Sequence, residues 1–150
     1  MIDDVEKDFI RVSILRKQGK QLEGLEILNK YIHNEILDLE SSEQKAYFYY
    51  VKGRLLKETG NMESALEQFD NCVKLNNVKN EIYTIPHSFM EKGDIYFRFG
   101  DKTKAKEELK QAKTYKSYDF DKPNIRRIMR LLDQLEADGF IPSSEFSAND

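Results

Sequence analysis

The sequence predicts an all-α protein, a solenoid of about three helix–turn–helix repeats followed by a C-terminal capping helix. Three observations predict it. Turn glycines recur at Gly19, Gly60 and Gly100, 41 and 40 residues apart. Around each glycine, apolar and small residues step by three and four, the period of helices that bury one face. The 150 residues include only 7 Gly and 3 Pro, too few for a loop-rich chain.

Composition narrows the class further. Charged residues make up 34% of the chain and apolar residues 39%; 24 basic against 27 acidic side chains leave a net charge of −3. That balance excludes a nucleic-acid or membrane-surface binder driven by bulk charge. The 9 Phe and 8 Tyr are enough for a packed core. The single cysteine, Cys72, excludes an internal disulfide and a cysteine zinc site. No apolar run approaches the roughly 18 residues of a membrane span. The first residues, Met1 to Glu6, are acidic and lack a hydrophobic export signal. The expectation is a soluble cytoplasmic protein.

Helices are expected at about 3–18, 21–39, 43–59, 62–77, 84–99, 102–116 and 123–137. In the first unit Val12 takes the place that Gly53 and Gly93 hold later, and Gly24 takes the place of Ala65 and Ala105. A terminal repeat drifts in this way because one side of it is not covered by a neighbour. In the second unit Tyr49, Gly53 and Leu56 share one side of a helix, and Ala65, Phe69 and Cys72 follow on the next. Small residues at Gly53 and Ala65 let the two helices approach, while Leu56 and Phe69 fill the layer between them. Gly60 supplies the positive φ that ends the first helix, and Asn61 caps the second. The third unit repeats the pattern with Phe89, Gly93, Tyr96, Gly100, Asp101, Ala105, Leu109 and Ala112. Asp121 reads as the N-cap of the last helix, whose stripe Ile125, Ile128, Leu132 and Leu135 suits a lid over the final repeat. The helical domain is expected to span 1–138. Residues 76–80 read as a loop, and 139–150, with Gly139, Pro142 and three serines, as a flexible tail.

This pattern resembles the tetratricopeptide repeat, a helix–turn–helix unit of about 34 residues. The surplus of about six residues per unit is expected in the second helix or its exit loop. The stretch Ile85 to Tyr96, then Gly100, Asp101, Ala105, Ala112, Tyr115, Tyr118, Arg127 and Ile128, is similar to the C-terminal repeats of the tetratricopeptide-repeat protein 39 family, which includes the fungal inclusion-body-clearance protein. Lys52 to Lys57 fits the penultimate repeat of that family, whereas Lys92 and Pro123 depart from it. The resemblance implies a cytosolic adaptor, linked to protein quality control or lipid handling, with no catalytic residues.

Chemistry-bearing residues are scattered. His33 and His87 fall in different repeats without neighbours at metal-ligand spacing. His87 after Pro86 reads as a surface residue, and Cys72, at a small-residue position, reads as core. Asp3-Asp4 and Glu107-Glu108 read as solvated helix faces. Arg126, Arg127 and Arg130 form the one basic cluster, expected to be partnered by Asp133 and other carboxylates. No cofactor, metal or nucleic acid is expected, and no enzyme activity.

The repeat resemblance places the first helix of each unit on a concave groove. Carried over position by position, it assigns Tyr47, Tyr50, Arg54 and Lys57 to the groove from the second unit. His87, Met90, Asp94, Phe97 and Arg98 come from the third, and Phe9 and Ser13 from the first. Tyr, Phe, Met and Arg supply binding hot spots. The expected function is a non-catalytic scaffold or adaptor that holds a partner peptide or helix in this groove; the alternative is a homo-oligomerisation module that pairs through edge helices. Chaperone-binding repeats clamp a C-terminal carboxylate with basic and amide side chains. The matching positions here are Phe9, Ser13, Val51, His87 and Glu91, none of them Lys, Arg or Asn, so no Hsp70/Hsp90 carboxylate clamp is expected.

Overall fold

The computed structural model describes residues 3–75, 83–115 and 123–137. The expected 76–80 loop, the Asp121 cap and the 139–150 tail lie outside the described residues. The chain divides into two compact units, Met1–Val78 and Lys79–Asp150.

The first unit holds α1 (Asp4–Lys17), α2 (Gln21–Asn29), β1 (Ile32–His33), β2 (Ile36–Leu37), α3 (Ser42–Glu58) and α4 (Met62–Val73). The second holds α5 (Thr84–Arg98), α6 (Lys102–Lys113) and α7 (Pro123–Ala137). Seven helices therefore stand among the described residues, and the all-α repeat fold is what the sequence predicts.

The three turn glycines do identical work. Gly19, Gly60 and Gly100 have φ of 78°, 87° and 85°. Each donates its amide to the carbonyl three residues back: Arg16, Lys57 and Phe97. The following residue reaches a helix carbonyl five back: Lys20 to Leu15, Asn61 to Leu56, Asp101 to Tyr96. This is one helix-ending motif repeated three times, and it needs a residue that tolerates the left-handed region. Caps at the following helices differ. Asp101 accepts from the Lys104 amide at 3.1 Å. Asn61 holds the cap position of α4, but its side chain donates to Thr59 Oγ1 instead.

Small residues set how closely paired helices approach. A Cβ on Gly53 would stand 2.7 Å from Phe69 Cε1, and one on Gly93 would stand 2.8 Å from Leu109 Cγ. Ala65, Phe69, Cys72, Ala105 and Ala112 are all fully buried. Cys72 Sγ donates to the Ala46 carbonyl at 3.4 Å, which fits the core reading. The exchanged residues of the first unit meet directly: a Cβ on Gly24 would lie 3.4 Å from Val12 and 3.3 Å from Leu55. That contact corrects one expectation. Leu55 is the fully buried residue, and Leu56 is only half-buried. The reason is that α3 packs on two neighbours. Gly53 and Tyr50 face α4, while Leu55 faces back onto α2.

A second correction concerns α2, which stops at Asn29 rather than near residue 39. A two-stranded hairpin follows, with Ile32 opposite Leu37 and His33 opposite Ile36. Its two-residue loop, Asn34 and Glu35, has φ of 52° and 67°, the mirror-image turn that suits the twist of paired strands. The surplus residues of this repeat therefore build an exit element and do not lengthen the helix.

Buried charge ties each unit together. Asp8 is 7% exposed and accepts from Lys30 Nζ at 2.9 Å and from the Tyr31 hydroxyl at 2.5 Å. The Tyr31 hydrogen bond, then that of Lys30, holds the Asp8 carboxyl below its ordinary value, against desolvation. In the second unit Lys92, 7% exposed, sits 3.0 Å from Glu108 Oε2. Glu108 is therefore not a solvated residue, as its place in an acidic pair suggested; it neutralises a buried lysine. The core of this unit is Met90, Leu109, Ala112, Ile128 and Leu132, so α7 does cover the last repeat through Ile128 and Leu132.

Candidate interaction groove

In the first unit, α1 and α3 form a cleft of about 520 Å³. Phe9, Ile10, Ser13, Ile14 and Tyr47 line it, with Glu6 and Lys17 at its ends. Helix periodicity builds this surface. On α1, Val12 and Phe9 turn inward, whereas Ile10 and Ile14, one turn apart, are each half exposed at 50%. Phe9 bridges core and cleft: it is 7% exposed and its ring lies 4.8 Å from that of Tyr47. Burial raises the Tyr47 phenol above its ordinary value, against the pull of Arg54 and Arg16. Tyr47 is half-buried and lends its ring to the cleft wall.

The walls are held in place. Asp3 caps α1 by accepting from the Glu6 amide at 2.8 Å. Arg16 makes a two-point ion pair with Glu58, Nε to Oε1 at 2.9 Å and Nη2 to Oε2 at 2.6 Å, which joins the last turn of α1 to that of α3. Glu6 and Lys17 are eleven residues apart on one helix, roughly 16 Å at 1.5 Å per residue. The cleft is thus an apolar strip with an acid at one end and a base at the other.

The structure gathers some of the expected groove residues and not others. Phe9, Ser13 and Tyr47 share this cleft. Arg54, half-buried, stacks over the Tyr50 ring at 5.4 Å, and Lys57 is half-buried further along α3. Tyr50 itself is 3% exposed and packs on Phe69, because the α3 spacing that brings it to Gly53 also turns it toward α4. Met90, 1% exposed, belongs to the core of the second unit, where α7 covers it. Asp94 is buried at 8% and paired with Arg98 at 3.1 Å. Phe97 is half-buried against the Met90 cluster, His87 packs edge-on to Tyr83, and Arg98 is exposed. Ile10 and Ile14 are missing from the sequence reading. Their signal is the four-residue spacing of two isoleucines on α1, beside Phe9 and Val12.

Among the described residues, no group of three or more His, Cys, Asp or Glu could hold a metal ion. No described helix is long and apolar enough to cross a membrane.

Residues 46–79 and 86–119 match the tetratricopeptide repeat family model. These two stretches are similar to the tetratricopeptide repeat and together cover just under half of the chain. Each match begins just after a helix starts, runs through the turn glycine and ends beyond the second helix. The unmatched residues between the two stretches, 80–85, are where the surplus over the usual repeat length falls. The α1–α2 pair lies outside the match, consistent with its exchanged Val12 and Gly24. No curated protein and no solved structure matches the chain. Tetratricopeptide repeats generally mediate protein–protein interaction, which supports a scaffold role.

Proposed function

We propose that this chain is a non-catalytic interaction module that holds a partner helix or extended peptide along the α1–α3 cleft. The observation that carries the reading is the exposure of Ile10 and Ile14, each 50%, beside the Phe9–Tyr47 ring pair. A soluble helix gains nothing by leaving two isoleucines half in water one turn apart; covering them by a partner returns that area to an apolar contact. The cleft is braced by the Arg16–Glu58 ion pair, so little ordering entropy is lost on binding. Glu6 and Lys17 orient the ligand, whose basic end lies toward Glu6 and whose acidic end lies toward Lys17. Arg54 and Lys57 continue the surface along α3. The similarity of 85–96 to the tetratricopeptide-repeat protein 39 family favours a cytoplasmic adaptor, with no catalytic role.

The test is partner binding by the Ile10→Asp/Ile14→Asp variant, in which both exposed side chains become charged without touching the core. Loss of binding with an unchanged melting midpoint supports the cleft. A second reading, pairing of two copies through edge elements, draws on Leu22 and Ile36, each 69% exposed. Light scattering separates the two: a concentration-independent monomer favours the module, and a dimer dispersed by Leu22→Asp favours pairing.

A further inference from the structure

The second unit carries a different surface. Between α6 and α7 lies a cleft of about 240 Å³. Leu109 and Leu132, 3% and 5% exposed, form its floor with Met129. Lys106, Lys110 and Lys113 line it from α6, at steps of four and three along one face, and Lys110 and Lys113 are exposed. Asp133 is the one acidic residue among those lining it. On α7, Arg126, Arg130 and Asp133 follow at the same steps, so two exposed arginines continue the line that Asp133 begins.

Like charges one turn apart on a helix repel, and α6 holds five lysines against two glutamates. Glu108 faces the buried Lys92. The dipole at the C-terminal end of α6 accounts for cations in its last turn, but not for the cleft beside them, where the partly buried Met129 lies against Leu109 and Leu132.

We propose that the α6–α7 cleft is a second binding surface, specific for an acidic peptide segment that carries an apolar anchor side chain. The cavity is about the size of one or two side chains. Its floor takes a Leu, Met or Phe, and the exposed Lys110 and Lys113 on the α6 wall pair with carboxylates of the segment. The floor disfavours a nucleic acid, whose phosphates would use the lysines and leave Met129 uncovered. Charge complementarity sets the partner: three lysines against Asp133 attract an acidic segment and repel a basic one.

The experiment is selection from a displayed library of random twelve-residue peptides on the full chain, followed by affinity measurement on variants. The expected result is enrichment of peptides with net negative charge around a Leu, Met or Phe. Their affinity should fall about tenfold or more on Lys110→Glu/Lys113→Glu, and rise on Asp133→Lys. It should be unchanged on Ile10→Asp/Ile14→Asp, which separates this surface from the α1–α3 cleft. Lys110→Gln/Lys113→Gln, which keeps helix propensity, provides a second loss-of-charge variant should the glutamates perturb folding. Enrichment without acidic bias, no enrichment, or equal affinity for the lysine variants would overturn the proposal. So would a dimer that the lysine variants disperse, because a second copy would then fill the cleft.

Discussion

Gly53 and Phe69 share one space: the Phe69 ring occupies the volume that any larger side chain at position 53 would need, with three ring carbons within 2.9 Å of an added Cβ. Phe69 is fully buried and Tyr50 packs against it at 6.2 Å, so the ring has no room to retreat. Helix propensity favours alanine over glycine by about 1 kcal/mol. Overpacking opposes it by about 1–3 kcal/mol. Gly53→Ala is expected to destabilise on balance, and Phe69→Leu in the same chain should recover part of the loss. Chemical denaturation of both single variants and the double variant checks this.

Ala105 should behave in the same way. It is fully buried, and its carbonyl lies 3.3 Å from where a Cβ on Gly93 would stand. Ala105→Leu is expected to cost about 1–3 kcal/mol. An unchanged unfolding midpoint would contradict the close α5–α6 crossing.

The hairpin loop contains a residue in a conformation that suits glycine. Glu35 has φ of 67°, in a turn whose favoured pair is Asn-Gly. Glu35→Gly relieves a left-handed cost of about 1 kcal/mol or more, partly offset by the greater freedom of glycine in the unfolded chain. A small rise in the thermal midpoint is expected, and Gly60→Ala, at φ 87°, should move it the other way.

Asp8 links stability to pH. Its carboxyl is held below its ordinary value, first by the Tyr31 hydroxyl and then by Lys30. A depressed carboxylate contributes stability that is present above its unfolded-state value and is lost as pH falls through the folded one. Asp8→Asn should therefore destabilise by about 1.5–3 kcal/mol at neutral pH, the scale of hydrogen bonds to a charged group. The gap from wild type should shrink in acid. Tyr31 shifts the opposite way, raised by burial and by Asp8, so its share is complete at neutral pH and fades only in strong base. Urea titrations of wild type and Asp8→Asn at neutral and acidic pH measure the Asp8 limb.

Most of the fold was legible because its signals are local. Gly19, Gly60 and Gly100 are each required by a left-handed backbone, and Gly53, Ala65, Gly93 and Ala105 by close crossings, so their spacing carries the repeat. The hairpin was hidden because Tyr31, Ile32 and Ile36 also fit a helix period, and Asn34-Glu35 lacks the glycine that marks such turns. The site was legible in part. Repeat register identifies the helices that can face a groove, and Phe9, Ser13 and Tyr47 line the α1–α3 cleft. It does not fix the rotation of each side chain: Tyr50 and Met90 went to the core, and Ile10 and Ile14 took the exposed places. Asp8 and Lys92 left no pattern, because a buried charge is explained only by a partner distant in sequence.

If Ile10 and Ile14 recruit a partner, quantitative affinity capture from a native extract of the source cells, wild type against Ile10→Asp/Ile14→Asp, reads it out. A defined set of proteins should be held by wild type and lost from a variant that melts at the same temperature. Capture of the same set by both would place the working surface elsewhere and rule out the α1–α3 cleft.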